Sequence, residues 1–320
     1  MEHVIPQWLA KAYELNRVPI SIEGDERVTY TNYVVPCCRR CNCKLLGPLE
    51  KFLKDAFEDE EKGPNYVSRM TISLWCCKIF AAARMYSEVL REMPESAMDG
   101  LSELVPSAGK HVHRMISRKE ICHKFLGILN DRVKVSSEVS SMFCQDRGVE
   151  FPFSVEAFRT KVPACLEARF DFHLDTQLYA MYLRFGCWMM VACLDGGYIS
   201  FQAHSFFEAY RGFELAPLQA EEMAAHFFTM ASTSRCYMNY VSEVDGGGVE
   251  HLKATLAPVN EPFSESPDYA ERTHFLRFFT REPRIEGWSE ERGITTWLKI
   301  DSHGNLQAVG ADDGAGVCER

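Results

Sequence analysis

A cysteine-rich turn directly before an amphipathic segment constrains the fold of the N-terminal part of this chain more than any other feature. Residues 36–43 read Pro-Cys-Cys-Arg-Arg-Cys-Asn-Cys. Before them, Val28 to Val35 is rich in β-branched and aromatic residues, which predicts a strand. After them, apolar residues recur at helical spacing from Leu45 to Phe57, which predicts a helix. The chain must therefore turn sharply from strand to helix, with a Cys-x-x-Cys pair, Cys38 and Cys41, at the turn.

The cysteines also indicate the redox compartment. The chain has 13 cysteines in 320 residues, an odd number and too sparse for a secreted disulfide scaffold. Several are neighbours in sequence, and neighbouring cysteines rarely pair with each other. Reduced thiols in a cytosol are therefore the better interpretation.

The sequence shows no targeting or membrane signal. The opening Met-Glu-His-Val-Ile-Pro lacks the basic segment and apolar core of a signal peptide. The most apolar runs, 79–83 and 187–194, are too short to span a membrane. We therefore expect an intracellular, cytoplasmic protein with no membrane partner.

Composition and charge exclude two further classes of protein. Hydrophobic residues make up 46% of the chain and charged residues 25%, which is typical of globular domains and excludes wholesale disorder. The formal net charge of −10 argues against a protein that coats nucleic acid through its overall charge. Contact with phosphate would have to come from a local basic patch.

Four segments are predicted along the chain, and together they indicate an α+β protein. Residues 1–62 end at an acidic run and Gly63-Pro64, which is a boundary signal. Residues 63–148 form a helical region, with a long helix from Tyr66 to Glu92 and a second helical stretch from about Lys110 to Val135. Residues 149–310 form an α+β domain, and residues 311–320 form a flexible tail.

The domain over residues 149–310 is predicted to contain a mostly antiparallel sheet. A short helix from Val155 to Leu166 and a longer one from Leu218 to Met230 accompany the strands, and Asp195-Gly196-Gly197 predicts a hairpin. A second turn is predicted over 302–305. The domain has no recognisable catalytic motif, so we interpret it as a recognition or regulatory domain for a protein partner or a small-molecule signal. The predicted strands are Arg169–Leu174, Tyr182–Leu194, Tyr198–Gln202, Arg235–Glu243, Thr273–Thr280 and Thr295–Ile300.

Three elements of the N-terminal segment occur in a recognisable order. The chain opens with Glu2-His3-Val4-Ile5-Pro6, continues to Asn32, and then reaches Cys38-x-x-Cys41-Asn42 at the predicted start of a helix. Over about residues 1–57 this order resembles the HNH (His-Asn-His/Asn) endonuclease family. The resemblance implies a small ββα-metal module, hydrolysis of phosphodiester bonds in DNA or RNA, and a nucleic-acid partner.

The resemblance also implies a role for each of these residues. His3 would be the general base, because a neutral imidazole can take a proton from water at cellular pH. Glu2 and Asn42 would hold one Mg²⁺ or Mn²⁺ ion, since these cations prefer oxygen ligands. Asn32 would orient the imidazole by a hydrogen bond, so the catalytic set is His3, Asn32 and Asn42.

The Cys38 and Cys41 thiols are also compatible with a structural zinc site. Family members usually carry another Cys-x-x-Cys upstream of the histidine, which completes a structural four-thiolate zinc site, whereas His3 is the third residue of this sequence. Cys38 and Cys41 would supply two of the four ligands that structural Zn²⁺ requires. The other interpretation is that these cysteines are reduced and pack as small apolar groups.

Basic residues occur in two places that could contact phosphates. Arg39 and Arg40 lie beside the proposed site. From Ser107 to Lys134, seven basic residues oppose two acidic ones, and Lys110, Arg114 and Arg118 recur every four residues, which predicts a basic helix face. The alternative is an ordinary solvated helix face.

Three hypotheses about function follow. The first is a metal-dependent HNH-type endonuclease, which by analogy suits a restriction or defence nuclease. The second is a catalytically silent HNH-like module that binds nucleic acid or protein. The third is an unrelated α+β binding protein in which the motif is a coincidence.

Overall fold

The secondary structure comes from a computed structural model, which describes residues 2–20, 28–59, 61, 63–87, 114–115, 122, 124–129, 132–137, 153–162, 169–234, 238–256, 269–280 and 297–307. The α-helices in these stretches are α1 (Gln7–Ala12), α2 (Arg39–Cys41), α3 (Gly47–Phe57), α4 (Arg69–Met85), α5 (Phe125–Leu129), α6 (Tyr198–Gln202), α7 (His204–Tyr210), α8 (Pro217–Ser234) and α9 (Tyr269–Thr280). The strands are β1 (Glu2–His3), β2 (Val34–Val35), β3 (Arg114–Met115), β4 (Val133–Ser137), β5 (Phe153–Thr160), β6 (Phe170–Asp175), β7 (Ala180–Phe185), β8 (Trp188–Leu194), β9 (Glu214–Leu215), β10 (Met238–Val244) and β11 (Glu250–Leu256). Short 3-10 helices cover Leu15–Arg17 and Gly63–Tyr66, and a π-helical turn covers Asn42–Leu46.

The chain mixes helices with several sheets, as the α+β prediction expects. It divides into two compact units: unit 1 comprises Met1–Pro152 and Asn239–Thr255, and unit 2 comprises Phe153–Met238 and Leu256–Arg320. The segment boundaries predicted near residues 62 and 148 stay predictions. Within the described stretches, every helix is too short or too polar to cross a bilayer.

Two helices of unit 1 confirm the periodicity predicted from sequence. Helix α3 buries Leu49, Leu53 and Phe57 on one face, at the spacing of an amphipathic helix. Helix α4 begins where the Ser68 hydroxyl accepts a hydrogen bond from the Thr71 N–H at 3.1 Å. From Ile72 to Ala83 every residue of α4 is buried, so the helix is enclosed on all sides, and the long helix predicted from Tyr66 is confirmed over Arg69–Met85.

The four-stranded sheet of unit 1 has the order β3-β10-β11-β4. Strand β3 is antiparallel to β10, and β4 is parallel to β11. The prediction of a helical stretch from Lys110 to Val135 is therefore wrong at β3 and β4, whereas Cys122 and α5, among the described residues between these strands, are helical. The physical reason is that both strands pair with partners more than a hundred residues later in the chain. Local periodicity contains no information about such distant partners.

The five-stranded sheet of unit 2 has the order β6-β7-β8-β5-β9. All neighbours are antiparallel except β5 and β9, so the mostly antiparallel prediction is confirmed. The helix predicted from Val155 to Leu166 is wrong, because this segment begins in β5. That strand lies between two others, and every residue in it except Arg159 is buried. A strand that is buried on both faces has no polar alternation to distinguish it from a buried helix.

Helices α8 and α9 pack together against the strands of unit 2 and form its hydrophobic core. The Phe228 and Phe279 rings of these helices have centroids 4.9 Å apart. The strand predicted over Thr273–Thr280 is therefore wrong. Phe275, Leu276 and Phe279 are buried at helical spacing, and the exposed Phe278 is not part of that face.

The hairpin predicted at Asp195-Gly196-Gly197 and the strand predicted over Tyr198–Gln202 are also wrong, because helix α6 begins there. The Asp195 carboxylate is fully buried and accepts hydrogen bonds from the Gly197 N–H at 3.0 Å and the Ile199 N–H at 2.7 Å. Gly197 has a φ of +84°, which favours glycine at the helix start. A side-chain acceptor aimed at free N–H groups begins a helix rather than a hairpin.

A turn over residues 302–305 is confirmed. The Asp301 carboxylate accepts hydrogen bonds from the backbone N–H groups of His303 at 2.8 Å and Asn305 at 2.9 Å. Residues Ile300 and Leu306 form an antiparallel bridge on either side of the turn. Because these hydrogen bonds lie within five residues, the turn could be predicted from the sequence.

Candidate functional site

Strand pairing brings the first residues of the chain beside the strand that precedes the cysteine-rich turn. In the antiparallel pair β1–β2, Glu2 lies opposite Val35 and His3 opposite Val34. The Val4 N–H donates to the Tyr33 carbonyl at 2.9 Å and extends the pairing. Strand β2 is followed after three residues by α2, so His3 lies on a two-stranded sheet that leads into a helix.

The His3 side chain is half-buried. Burial lowers the pKa of its imidazole from the ordinary value of 6.5. The Glu2 carboxylate opposes this effect, and the Lys78 ammonium adds to it. Its Nε2 atom lies 3.5 Å from Nε2 of Gln7, the first residue of α1. The imidazole is therefore neutral at pH 7, which is the form that can accept a proton.

Lys78 is a residue of this site that the sequence analysis missed. Its side chain is 1% exposed, and its Nζ atom lies 2.9 Å from Glu2 Oε1 and 2.8 Å from Glu50 Oε1. The same ammonium donates to the backbone carbonyl oxygens of His3 and Val4. Lys78 therefore links β1, α3 and α4. The signal that could have revealed it is a single lysine inside an apolar helical run.

Glu50, the second carboxylate of this cluster, is also largely buried. Burial raises the pKa of Glu50, and the adjacent Lys78 ammonium partly offsets that rise. The cluster of Lys78, Glu2 and Glu50 thus holds one cation between two carboxylates away from water. Such a cluster is stable only while all of its members are present.

The ion pair between Glu2 and Lys78 affects whether Glu2 can bind the expected divalent cation. Glu2 Oε1 is engaged by the Lys78 ammonium, and a dication at the same oxygen would be repelled by that charge at close range. Within the stretches that the structure describes, no three His, Cys, Asp or Glu side chains converge as a metal site would require. The donor set around Glu2 therefore does not fit Mg²⁺ or Mn²⁺ while Lys78 lies there.

The two asparagines of the motif occupy a turn and a helix. Asn32 is exposed, and its backbone closes the turn before β2: its N–H donates to the Thr29 carbonyl, and its carbonyl accepts from the Val34 N–H. Its role in orienting His3 stays a prediction, and the side chain observed next to His3 Nε2 is that of Gln7. Asn42 is half-buried and begins the π-helical turn, with its N–H donating to the Cys38 carbonyl at 2.9 Å. Its role as a metal ligand also stays a prediction.

Cys38 is the N-cap residue of α2. Its Sγ atom accepts a hydrogen bond from the Cys41 N–H at 3.1 Å. A second hydrogen bond, from the Cys41 thiol, lowers the pKa of Cys38 and raises the pKa of Cys41 to about 11. These two thiols are thus close together, but the described residues add no third ligand for a structural zinc site. Zinc binding stays a prediction.

The basic residues are divided between exposed positions, a strand and segments outside the described residues. Arg39 and Arg40 lie in α2 and are exposed. Arg114 lies in strand β3 opposite Ser242 of β10, so the predicted helix face is wrong at this position, because strand pairing replaces the helical repeat. Lys110 and Arg118 lie outside the described residues. The binding of phosphates by all five residues stays a prediction.

Several buried polar residues of unit 2 bond to one another. The Ser154 hydroxyl donates to Asp195 at 2.8 Å, and the Ser200 hydroxyl donates to Glu156 at 2.6 Å. Arg211 forms an ion pair with the same Glu156. Because these groups satisfy one another at the start of α6, we interpret them as structural.

No protein-family model, curated protein or solved structure matches this chain.

Proposed function

We propose that residues 1–57 act as an HNH-type nuclease module that hydrolyses phosphodiester bonds of DNA or RNA. The single observation that carries the proposal is the pairing of the His3 strand with the strand that leads into the Cys38-capped helix. The paired strands followed by a helix match what is expected of a ββα module, with helix α1 and a 3-10 helix inserted between the two strands. The pairing places Glu2 and His3 beside β2, the strand that precedes Cys38 and Asn42 in sequence.

The protonation state of His3 supports its role as general base. A general base must be unprotonated before it takes a proton from the attacking water. Since burial lowers the pKa of His3 from 6.5, the base form predominates at neutral pH. Cleavage should fall only when the pH drops below that ordinary value, because protonation then removes the acceptor.

The exposed guanidinium groups support a role for the module in binding nucleic acid. Arg39 and Arg40 project from the first turn of the helical segment, close in sequence to Asn42. Arginine binds phosphate oxygens through paired N–H groups. In the proposal these two residues hold the backbone of the substrate, while His3 activates water.

A second candidate function is a catalytically silent module that binds nucleic acid through the same surface. It is favoured by the ion pair between Glu2 and Lys78, which occupies the carboxylate that the family uses for its cation. In this candidate Lys78 stabilises β1 by charge, and the fold persists without catalysis. The proposal of a nuclease therefore includes no step through a metal held by Glu2.

Nicking of supercoiled plasmid by the full chain tests the proposal. The assay is run with Mg²⁺, with Mn²⁺ and with a chelator. We expect His3→Ala to lower the nicking rate by about 100-fold or more, the usual contribution of a general base. The matched control is His204→Ala, which removes an exposed histidine of α7 in unit 2 and should leave the rate unchanged.

The same purified variants distinguish the nuclease from the catalytically silent module. A gel mobility shift measures binding of the plasmid fragment by each variant. Binding without nicking under every metal condition would favour the silent module over the nuclease. Equal nicking by wild type and His3→Ala would show a contaminating nuclease, and the proposal would then be wrong.

A further inference from the structure

We propose that Cys38 and Cys41 form a redox-active dithiol, which closes to a disulfide with a small disulfide oxidant and reopens with a small thiol. The proposal does not depend on the nuclease function. It rests on the contact between the two residues, since the Cys41 N–H donates to Cys38 Sγ at 3.1 Å. The Cys41 thiol forms a hydrogen bond to the same sulfur.

The local geometry favours closure of the pair. Cys38 has an extended backbone as the N-cap, and Cys41 ends the first helical turn. Cys38 Sγ lies 3.1 Å from the backbone nitrogen of Cys41 within one helical turn, so only a local movement is needed to bring the two sulfur atoms to an S–S distance of about 2 Å. Closing the bond forms a ring of few residues within one turn, and no distant part of the fold has to move.

The different exposure of the two cysteines assigns them different steps of the reaction. Cys38 is exposed, whereas Cys41 is half-buried beside it. A dissolved oxidant therefore reaches Cys38 first, and Cys41 is positioned to resolve the product. By contrast, Cys76, Cys77 and Cys122 are buried, and buried thiols in apolar surroundings are inert.

The chemistry is a two-step thiol–disulfide exchange. The Cys38 thiolate attacks one sulfur of the oxidant RSSR, forming a Cys38–S–SR mixed disulfide and releasing RS⁻. Cys41 then loses its proton to solvent, and its sulfur attacks Cys38 Sγ, which forms the Cys38–Cys41 bond and releases a second RS⁻. Two protein thiols are oxidised, one RSSR is reduced to two RSH, and both protons end on the released thiols.

The test uses the full chain, incubated with glutathione disulfide, unfolded in denaturant and alkylated. We expect the number of alkylated cysteines to fall by two from the 13 in the sequence, and peptide mapping to locate the bond between Cys38 and Cys41. Reduced glutathione should restore both thiols. In Cys41→Ser, the glutathione should remain attached to Cys38, because no resolving thiol is present.

Cys43→Ser is the matched control, since Cys43 is the other exposed cysteine among the described residues and lies two residues after Cys41. It should form the Cys38–Cys41 disulfide as the wild type does. Oxidation at Cys43 in place of the pair, or no loss of thiols at Cys38 and Cys41, would overturn the proposal. Zinc in the purified wild type that is lost in Cys38→Ser would overturn it as well, because the thiols would then be metal ligands.

Discussion

Lys78 carries a buried ammonium group whose partners come from two distant segments of the chain. Glu2 lies at the start of the sequence and Glu50 on the preceding helix, and both carboxylates lie within 3 Å of Nζ. Neither carboxylate could be buried by itself, because removing an unpaired charge from water costs several kcal/mol. The stability of β1, and with it the placement of His3, therefore depends on this one lysine.

Substitution of this lysine tests that dependence. Lys78→Met should lower the free energy of unfolding by about 3–5 kcal/mol at pH 7.5, because Glu2 and Glu50 are left buried without a cation. Urea unfolding followed by circular dichroism measures the loss. Lys51→Met is the matched control: its ion pair with Asp55 is exposed, so the change should stay within about 0.5 kcal/mol.

The sign of the pH dependence gives the same experiment a second readout. The pKa of Glu50 is raised in the folded protein, and without Lys78 it should rise further. The folded state then binds more protons than the unfolded state over the acidic range, so folding is favoured as the pH falls. The destabilisation by Lys78→Met should thus be smaller at pH 5 than at pH 7.5, and an equal or larger loss at pH 5 would contradict the charge argument.

At the scale of elements, the start of α6 shows how one buried carboxylate determines the type of structure. Asp195 accepts hydrogen bonds from the Ser154 N–H and hydroxyl on β5 as well as from the Gly197 and Ile199 N–H groups. The carboxylate therefore joins a helix start to strand β5, which lies between β8 and β9. A hairpin at the same glycines would leave these donors without an acceptor.

Asp195→Ala should lower the free energy of unfolding by about 3 kcal/mol or more, because it leaves several buried donors unpaired. The measurement is urea unfolding of the full chain. Asp301→Ala is the control: Asp301 closes a turn by similar bonds to N–H groups, but it is only half-buried, so water can replace it. A loss for Asp195→Ala no larger than for Asp301→Ala would show that the hydrogen bonds to Asp195 contribute little.

At the scale of the whole molecule, unit 1 is built from two separate stretches of sequence. Strands β10 and β11 come from Asn239–Thr255, yet they pair with β3 and β4 of the first stretch. The Lys124 ammonium reinforces this arrangement by binding both carboxylate oxygens of Glu250 at 2.6 Å. The N-terminal half of the sequence therefore lacks two strands of its own sheet.

A fragment of residues 1–152 should consequently fold poorly. We expect it to aggregate or to unfold at a lower urea concentration than the full chain, since β3 and β4 lose their partners. The control joins residues 239–255 to this fragment through a flexible Gly/Ser linker and should recover a cooperative transition. Equal stability of the two fragments would show that these strands are dispensable.

Regions formed by interactions between residues close in sequence were predictable, and regions formed by interactions between distant segments were not. Helices α3 and α4 were predictable, because their buried residues lie at the helical repeat of a single segment. The turn at 302–305 was predictable because its hydrogen bonds lie within five consecutive residues. Strand β5 was not, because its identity comes from the strands on either side of it.

The candidate site divides in the same way. The motif residues Glu2, His3 and Asn42 could be selected from their order along the chain, and the pairing of β1 with β2 agrees with that order. The contact between Lys78 and Glu2 joins residues more than seventy positions apart, so spacing could not reveal it. Gln7, which lies against His3, was missed because a single amide carries no pattern.

Side-chain spacing along the chain predicts three local features: the cysteine-rich turn, the amphipathic helix after it and the deeply apolar helix α4. Each depends on residues within one or two turns of backbone, where side-chain spacing is sufficient. The choice of strands that share a sheet, and of the carboxylates that surround Lys78, follows instead from packing in three dimensions. Those outcomes depend on burial and charge pairing between distant segments, and a one-dimensional pattern does not encode which segments meet.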